Sequence, residues 1–249
     1  MAAHQGFEYE LNAAKVLKPL GIVPKNFVPA GSGSDQPDLM IKKPSQPERA
    51  AVGCELKITA ASAGSLVLKY DAVKKKWGFN DISKDDVEKR FLVDLATKYG
   101  AIDRINKEWS GMPARYTPLY GSAAVDKKKA YEKDLKKYRD IKAEIPASNI
   151  EKYYLHKKTY YVNVGTHGLY LFGTSDPLKL SDSDTPVPRF GTAAKAIYRA
   201  RVQYKGGGSY QFTFEMQFSI SQKSPYNLAP VSGGTVVVNK RDLKLDCFL

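Results

Sequence analysis

The chain has 249 residues, 43% of them apolar, and a formal net charge of +13. This length and apolar share suffice for one large domain or two small ones and exclude disorder over most of the chain; no run approaches the roughly 20 apolar residues that span a bilayer and no basic-then-apolar leader opens the sequence, which points to a soluble, intracellular protein. The basic balance favours a polyanion as partner, because each neutralised phosphate releases counterions, whereas two cysteines and three scattered histidines argue against a disulfide framework or a Cys/His zinc site.

In chain order, Phe7, Leu11, Ala14 and Leu17 recur at helical spacing before Pro19 and Gly21, which predicts an amphipathic helix over about 6–18. The stretch GIVPKNFVPA reads as a first strand interrupted by its prolines, and GSGSDQ as a loop. Two strands follow, PDLMIKK and AAVGCELKITA, joined by the polar turn PSQPER. The next convincing element is a helix from Asp85 to Tyr99, with Asp85 and Glu88 as a capping box, Val87, Phe91, Leu92 and Leu95 as its stripe, and Gly100 as its stop. A further helix, solvated and carrying charges of both signs, is predicted over 126–145 on a thin seam of Ala130, Tyr131, Leu135, Tyr138 and Ile141. From Tyr153 onward the texture is that of strands: KTYYVNVG, GLYLFG, AIYRARVQY, YQFTFEMQFSI and GTVVVN, with a hairpin turn at KGGGS.

The chemistry concentrates in the early hairpin. Side chains two apart on a strand share a face, so Glu55 and Lys57 point one way while Cys54, Leu56 and Ile58 point the other. With Asp38 on the neighbouring strand, two carboxylates and the backbone carbonyl of Leu56 converge as oxygen ligands for Mg²⁺, with Mn²⁺ able to substitute; Lys57 would orient a water or offset charge on phosphate oxygens. An acid, any residue and a lysine is a cheap pattern. It recurs at Asp126, Asp134, Asp140 and Asp242; the first three fall in the charged helix, and Asp242 with Lys244 is the rival.

The order of helix with an acid, loop, strand opening on Pro37-Asp38, turn, and strand carrying Glu55-Leu56-Lys57 resembles the PD-(D/E)XK nuclease superfamily, and GFEYELNAAKVLKPLGI, AGSGSDQPDLMI and CELKITA are similar to segments of archaeal Holliday-junction resolvases. The resemblance covers about the first quarter of the chain. It implies an α/β, restriction-endonuclease-like core of helix, three strands, helix and strand, here with a helical insertion over about 72–155, so that 1–175 form the core and 176–249 a β-rich extension. Two separate domains are the alternative. It implies a metal-dependent DNA endonuclease in which Asp38 and Glu55 hold Mg²⁺, Lys57 is the catalytic lysine, and Glu8, or alternatively Glu10, is the first-helix acid. Ser32 and Ser34 lie where related resolvases keep a serine near the phosphate, although turn chemistry also favours serine there. The resolvases carry the further expectation of a homodimer.

Lys69, Tyr70, Lys74, Lys75, Lys76 and Trp77 follow the hairpin closely enough to touch a DNA backbone, with an interleaved aromatic for stacking; the plainer alternative is a surface lysine cluster beside a core tryptophan. Arg199, Arg201 and Lys205 alternate on one strand face as a basic ribbon suited to a groove. No small-molecule cofactor and no membrane partner are expected. The competing function is a non-catalytic nucleic-acid-binding or scaffolding protein, and action on RNA a third.

Overall fold

A computed structural model of the chain describes residues 2–31, 36–59, 62–117, 120, 123–231 and 236–249. In chain order these form α1 (Ala2–Leu17), β1 (Leu39–Ile41), β2 (Val52–Lys57), β3 (Ser62–Asp71), β4 (Lys76–Phe79), α2 (Val87–Lys98), α3 (Ala101–Glu108), α4 (Ala124–Lys137), β5 (Ile141–Ile145), α5 (Ser148–His156), β6 (Thr159–Val164), β7 (Gly168–Leu171), α6 (Phe190–Ala193), β8 (Ala194–Gly206) and β9 (Ser209–Ile220). The class is mixed α/β with two sheets. Among the described residues no helix is long and apolar enough to cross a membrane.

The chain divides into two interleaved units, the first made of 1–61, 146–196 and 218–249, the second of 62–145 and 197–217. The sequence reading divides the chain once, near residue 175, and expects a helical insertion; the second unit is instead a five-stranded sheet, β4-β3-β9-β8-β5, with three helices.

In the first unit the sheet order is β1-β2-β6-β7, with β1 antiparallel to β2, β2 parallel to β6 and β6 antiparallel to β7. A parallel pair cannot be closed by a tight turn and needs a crossover. Here the whole stretch 58–158 lies between β2 and β6, and α5 is its last helix. Cys54, Leu56, Tyr161, Leu169 and Leu171 share a core with Tyr9, Ala13, Ala14 and Leu17 of α1, so α1 covers the sheet face opposite Glu55 and Lys57. The predicted apolar stripe of this helix is corrected: Phe7 and Leu11 are exposed, while the buried row runs Tyr9, Ala13, Leu17, each four residues on. The predicted strand over 21–30 does not form; Leu17 and Lys18 accept from Ile22 and Gly21 in a tight turn, and Ile22 and Val23 enter the core from that turn and the coil after it. Gly53 sits at the register shift between β2 and β6, where a Cβ would come within 2.8 Å of the Lys158 carbonyl and 3.0 Å of Pro37. Glycine at this position is a requirement of that close approach.

The second unit accounts for several other corrections. Strands β3, β4 and β5 lie where none is expected, and α3 follows α2 directly because Gly100, at φ +60°, is both the end of one and the N-cap of the next. The cap of α2 is Asp86, whose side chain accepts from the Lys89 N–H, one residue later than the predicted capping box. The helix expected over 126–145 ends at Lys137, and its remainder turns into β5. Asp134, read as a solvated charge, is 1% exposed and accepts from the Ala114 and Arg115 amides and the Tyr210 hydroxyl. The β8–β9 hairpin forms as predicted, turning through Gly207 and Gly208, both at positive φ. The predicted GTVVVN strand does not: residues 236–239 run outside any strand, and 234–235 lie outside the described residues.

Candidate metal-dependent active site

The hairpin register builds the site. Leu39 pairs with Cys54, Met40 with Gly53 and Ile41 with Val52. Asp38 immediately precedes β1, and continuing the same antiparallel register by one step sets it opposite Glu55. The Leu56 amide donates to Asp38 Oδ2 at 2.8 Å, which ties the aspartate to the strand that carries its partner acid. Lys57, two residues after Glu55, places Nζ 2.5 Å from Glu55 Oε1. Glu55 is 6% exposed and Asp38 partly buried.

The opposite neighbour of Glu55 comes from an unpredicted element. Tyr154 of α5 is 2% exposed and donates from its hydroxyl to the same oxygen, Glu55 Oε1, at 3.2 Å. The helix carrying it is short and polar overall, but Ile150, Tyr153 and Tyr154 are buried at the i, i+3, i+4 spacing that would have betrayed it.

The two candidate acids of α1 differ in their surroundings. Glu8 is exposed, whereas Glu10, 200° further round the helix, is partly buried. Glu10 Oε2 is buried and has no hydrogen-bond partner. Burial, and then the Glu55 carboxylate, push the Glu10 carboxyl up to about 7, against the opposing pull of Lys57. Burial and Glu55 likewise raise Asp38 to about 8, with Lys57 and the Leu56 N–H opposing and Glu10 adding to the rise. Burial works to lower the Lys57 ammonium, but Glu55, Tyr154 and Asp38 outweigh it and hold Lys57 well above its ordinary value. Three carboxyl groups thus crowd one ammonium, which favours the protonated forms of Asp38 and Glu10.

Among the described residues no three His, Cys, Asp or Glu side chains are already gathered as a metal cluster. The donor chemistry nonetheless suits a hard divalent cation: neighbouring carboxyl groups at the β1–β2 pair, an orphaned carboxyl oxygen, and more acids than bases in a partly dry place. The sign of the proton linkage follows from the raised carboxyls. Asp38 and Glu10 bind protons more tightly folded than unfolded, so their contribution to stability is full below the ordinary carboxylate range and is lost as pH rises through about 7 to 8. The metal-free protein is expected to melt at progressively lower temperature from pH 5 to pH 8.5. Added Mn²⁺ should reverse that loss, with a larger shift at higher pH, as differential scanning fluorimetry at fixed ionic strength would record; a pH-independent shift would contradict the assignment.

The other predicted contacts are distributed as follows. Ser32 and Ser34 lie outside the described residues. Lys69, on β3, Lys74 and Lys75, at the β3–β4 turn, and Lys76, the first residue of β4, are all exposed, and Lys74 Nζ lies 3.7 Å from Asp71. Trp77 is 3% exposed, packs edge-on against Tyr70, Trp109 and Tyr138, and donates Nε1–H to the Trp109 carbonyl. It is a core residue, and the stacking role suggested by its neighbouring lysines is corrected. Arg199 is paired with Asp140, just ahead of β5, and Arg201 Nε lies 2.8 Å from Glu215 of β9, so both are engaged by acids. The rival pair Asp242 and Lys244 is exposed, with Asp242 in a short 3₁₀ turn and Lys244 in an isolated antiparallel bridge with Asn227.

No protein-family model matches the chain, and no curated protein matches it significantly. Among solved structures the chain is similar to HhaI endonuclease in complex with DNA, with a TM-score of 0.42, 11% identity, and coverage of 87% of this chain and 92% of that one. The likeness is distant.

Proposed function

We propose that this chain is a metal-dependent DNA endonuclease. The observation that carries the reading is the hairpin register, which sets Asp38 across from Glu55 with Lys57 on the same face and a partnerless Glu10 oxygen belonging to the same charged group. Asp38, Glu55, Glu10 and the Leu56 carbonyl would hold Mg²⁺, or Mn²⁺ in its place. The cation would supply Lewis acidity toward a phosphodiester and a lowered pKa for a coordinated water. The protein's own part is positional and electrostatic. The strands fix the carboxylates, the Leu56 amide stops Asp38 from rotating away, and Lys57 offers a permanent positive charge to phosphate oxygens as negative charge builds on them. The net charge of +13 supports a polyanionic substrate. A homodimer, and contacts from Lys69, Lys74, Lys75 and Lys76, belong to the same proposal; Arg199 and Arg201 would first have to leave their acids.

One observation favours a second reading, that of a nucleic-acid-binding protein without catalysis: Glu55 and Lys57 already neutralise each other at 2.5 Å. Incubating supercoiled plasmid with the protein and Mg²⁺, with and without EDTA, separates the two. Nicking that EDTA abolishes is expected, and binding without nicking in Mg²⁺ or Mn²⁺ would leave only the second reading. In the same assay Glu10→Gln should slow cleavage about 10–100-fold, the range for loss of a group that tunes a metal site, whereas Glu8→Gln should remain within about twofold of the parent, as for an exposed surface change. Equal effects of the two substitutions would refute Glu10 as the first-helix acid.

A further inference from the structure

Tyr154, from outside the hairpin, hydrogen-bonds directly to a proposed metal ligand, and nothing in the carboxylate-lysine chemistry above uses it. Its hydroxyl and the Lys57 ammonium both address Glu55 Oε1, at 3.2 and 2.5 Å. Two donors on one oxygen fix the rotation of that carboxylate about its terminal bond, which is otherwise broad, and leave Oε2 as the oxygen available to a cation. The tyrosine itself has little freedom. Its ring stacks on Phe172 at 5.0 Å and 10°, Phe172 packs edge-on against Phe190, and Phe190 against Phe218. Helix α5 is anchored independently, because the buried Glu151 Oε1 accepts the amides of Gly173 at 3.1 Å and Gly191 at 2.9 Å. A buried ring, a fixed helix and a single hydroxyl aimed at a ligand carboxylate form a support for metal binding, of the kind that orients ligands in metalloproteins generally.

From this geometry we infer that Tyr154 is a positioning residue for the metal site: its hydroxyl selects which oxygen of Glu55 faces the cation. The inference rests on the nuclease reading above. It predicts an effect on metal affinity that is separable from any effect on stability. Tyr154→Phe keeps the ring and removes only the donor, while Phe218→Leu disturbs the aromatic row three rings away and leaves the donor in place. Mn²⁺ binding to the full chain without DNA, followed by isothermal titration calorimetry, should weaken about 10-fold or more in Tyr154→Phe and stay unchanged in Phe218→Leu, even though the latter melts earlier. Plasmid cleavage by Tyr154→Phe should correspondingly be lost at limiting Mn²⁺ and recovered at higher concentration. Parental affinity in Tyr154→Phe, or an equal loss in both variants, would overturn the positioning role and leave the nuclease reading intact. A parent chain that binds no Mn²⁺ and cuts no plasmid would overturn both.

Discussion

Asp38→Asn is expected to abolish Mg²⁺-dependent cleavage and, in the same protein, to raise the melting temperature. Both effects have one source. In the metal-free chain Asp38 is crowded by Glu55 and Glu10 and raised to about 8 by burial and their charge, so near neutral pH the fold must bear either a protonated acid or a repelled anion. Asparagine keeps the shape and an oxygen for the Leu56 amide, which now donates to Asp38 Oδ2, and removes the cost. A gain of roughly 1–3 kcal/mol near pH 7.5 is expected, a fraction of what a shift of several pH units represents at 1.36 kcal/mol per unit. At about 2–4 °C per kcal/mol for a chain of this size, thermal melts will resolve it. The gain should shrink toward pH 5, where protonating Asp38 costs less. Cleavage should fall on the order of 10³-fold, since a neutral amide is a poor ligand for a hard cation and loses the charge that holds it. A variant that is both inactive and less stable at every pH would mean that Asp38 serves the fold and not a cation.

Trp77→Ala is expected to cost roughly 3–5 kcal/mol, the range for emptying an aromatic site in a core, and to unfold the second unit at a much lower denaturant concentration. The indole packs against Tyr70, Trp109, Tyr116, Tyr138 and Phe212 and holds the Trp109 carbonyl. The neighbouring lysines should behave in the opposite way. Replacing Lys74, Lys75 and Lys76 together with alanine should leave the urea midpoint almost unchanged while weakening DNA binding and flattening its salt dependence, by a slope of about 2–3 if all three meet phosphates. If Trp77→Ala instead impaired DNA binding at unaltered stability, the stacking role would be restored and the packing account would fail.

These contrasts mark where the sequence was readable. The strands of the early hairpin alternate with a period of two, with prolines at the start and in the turn, and a one-residue slip would have turned every side chain over; placing Asp38 beside Glu55 therefore follows from the sequence. The β8–β9 hairpin was equally plain, because three successive glycines can accept the positive φ that the turn requires. Pattern does not choose between Glu8 and Glu10, since both flank Tyr9; the folded chain leaves Glu8 exposed and sets Glu10 partly buried, within reach of the Glu55 and Lys57 charges. Strand β3 carries a legible signal in Leu66, Leu68 and Tyr70, alternately buried, but the lysines beside them give the stretch the composition of a charged surface segment. Strand β5 was hidden because RDIKAEI has good helix propensity and continues a helical run; its conversion to strand is imposed by pairing in the sheet, a tertiary effect that no local pattern contains. Asp134 was misjudged for a related reason. Its partners are the backbone of 114–115 and Tyr210, distant in sequence and invisible to spacing.

The contact between Tyr154 and Glu55 joins residues 99 positions apart, and between them the backbone departs to make most of another sheet before it comes back. Loop-closure entropy rises only slowly with length, so the finished molecule tolerates the excursion. Refolding rate is more sensitive, because contacts between remote positions form late. The parallel junction of β2 with β6, and the tyrosine delivered just ahead of it, should be among the last features to assemble after dilution from denaturant. Ability to capture Mn²⁺ should therefore return more slowly than the far-ultraviolet signal of helices and hairpins.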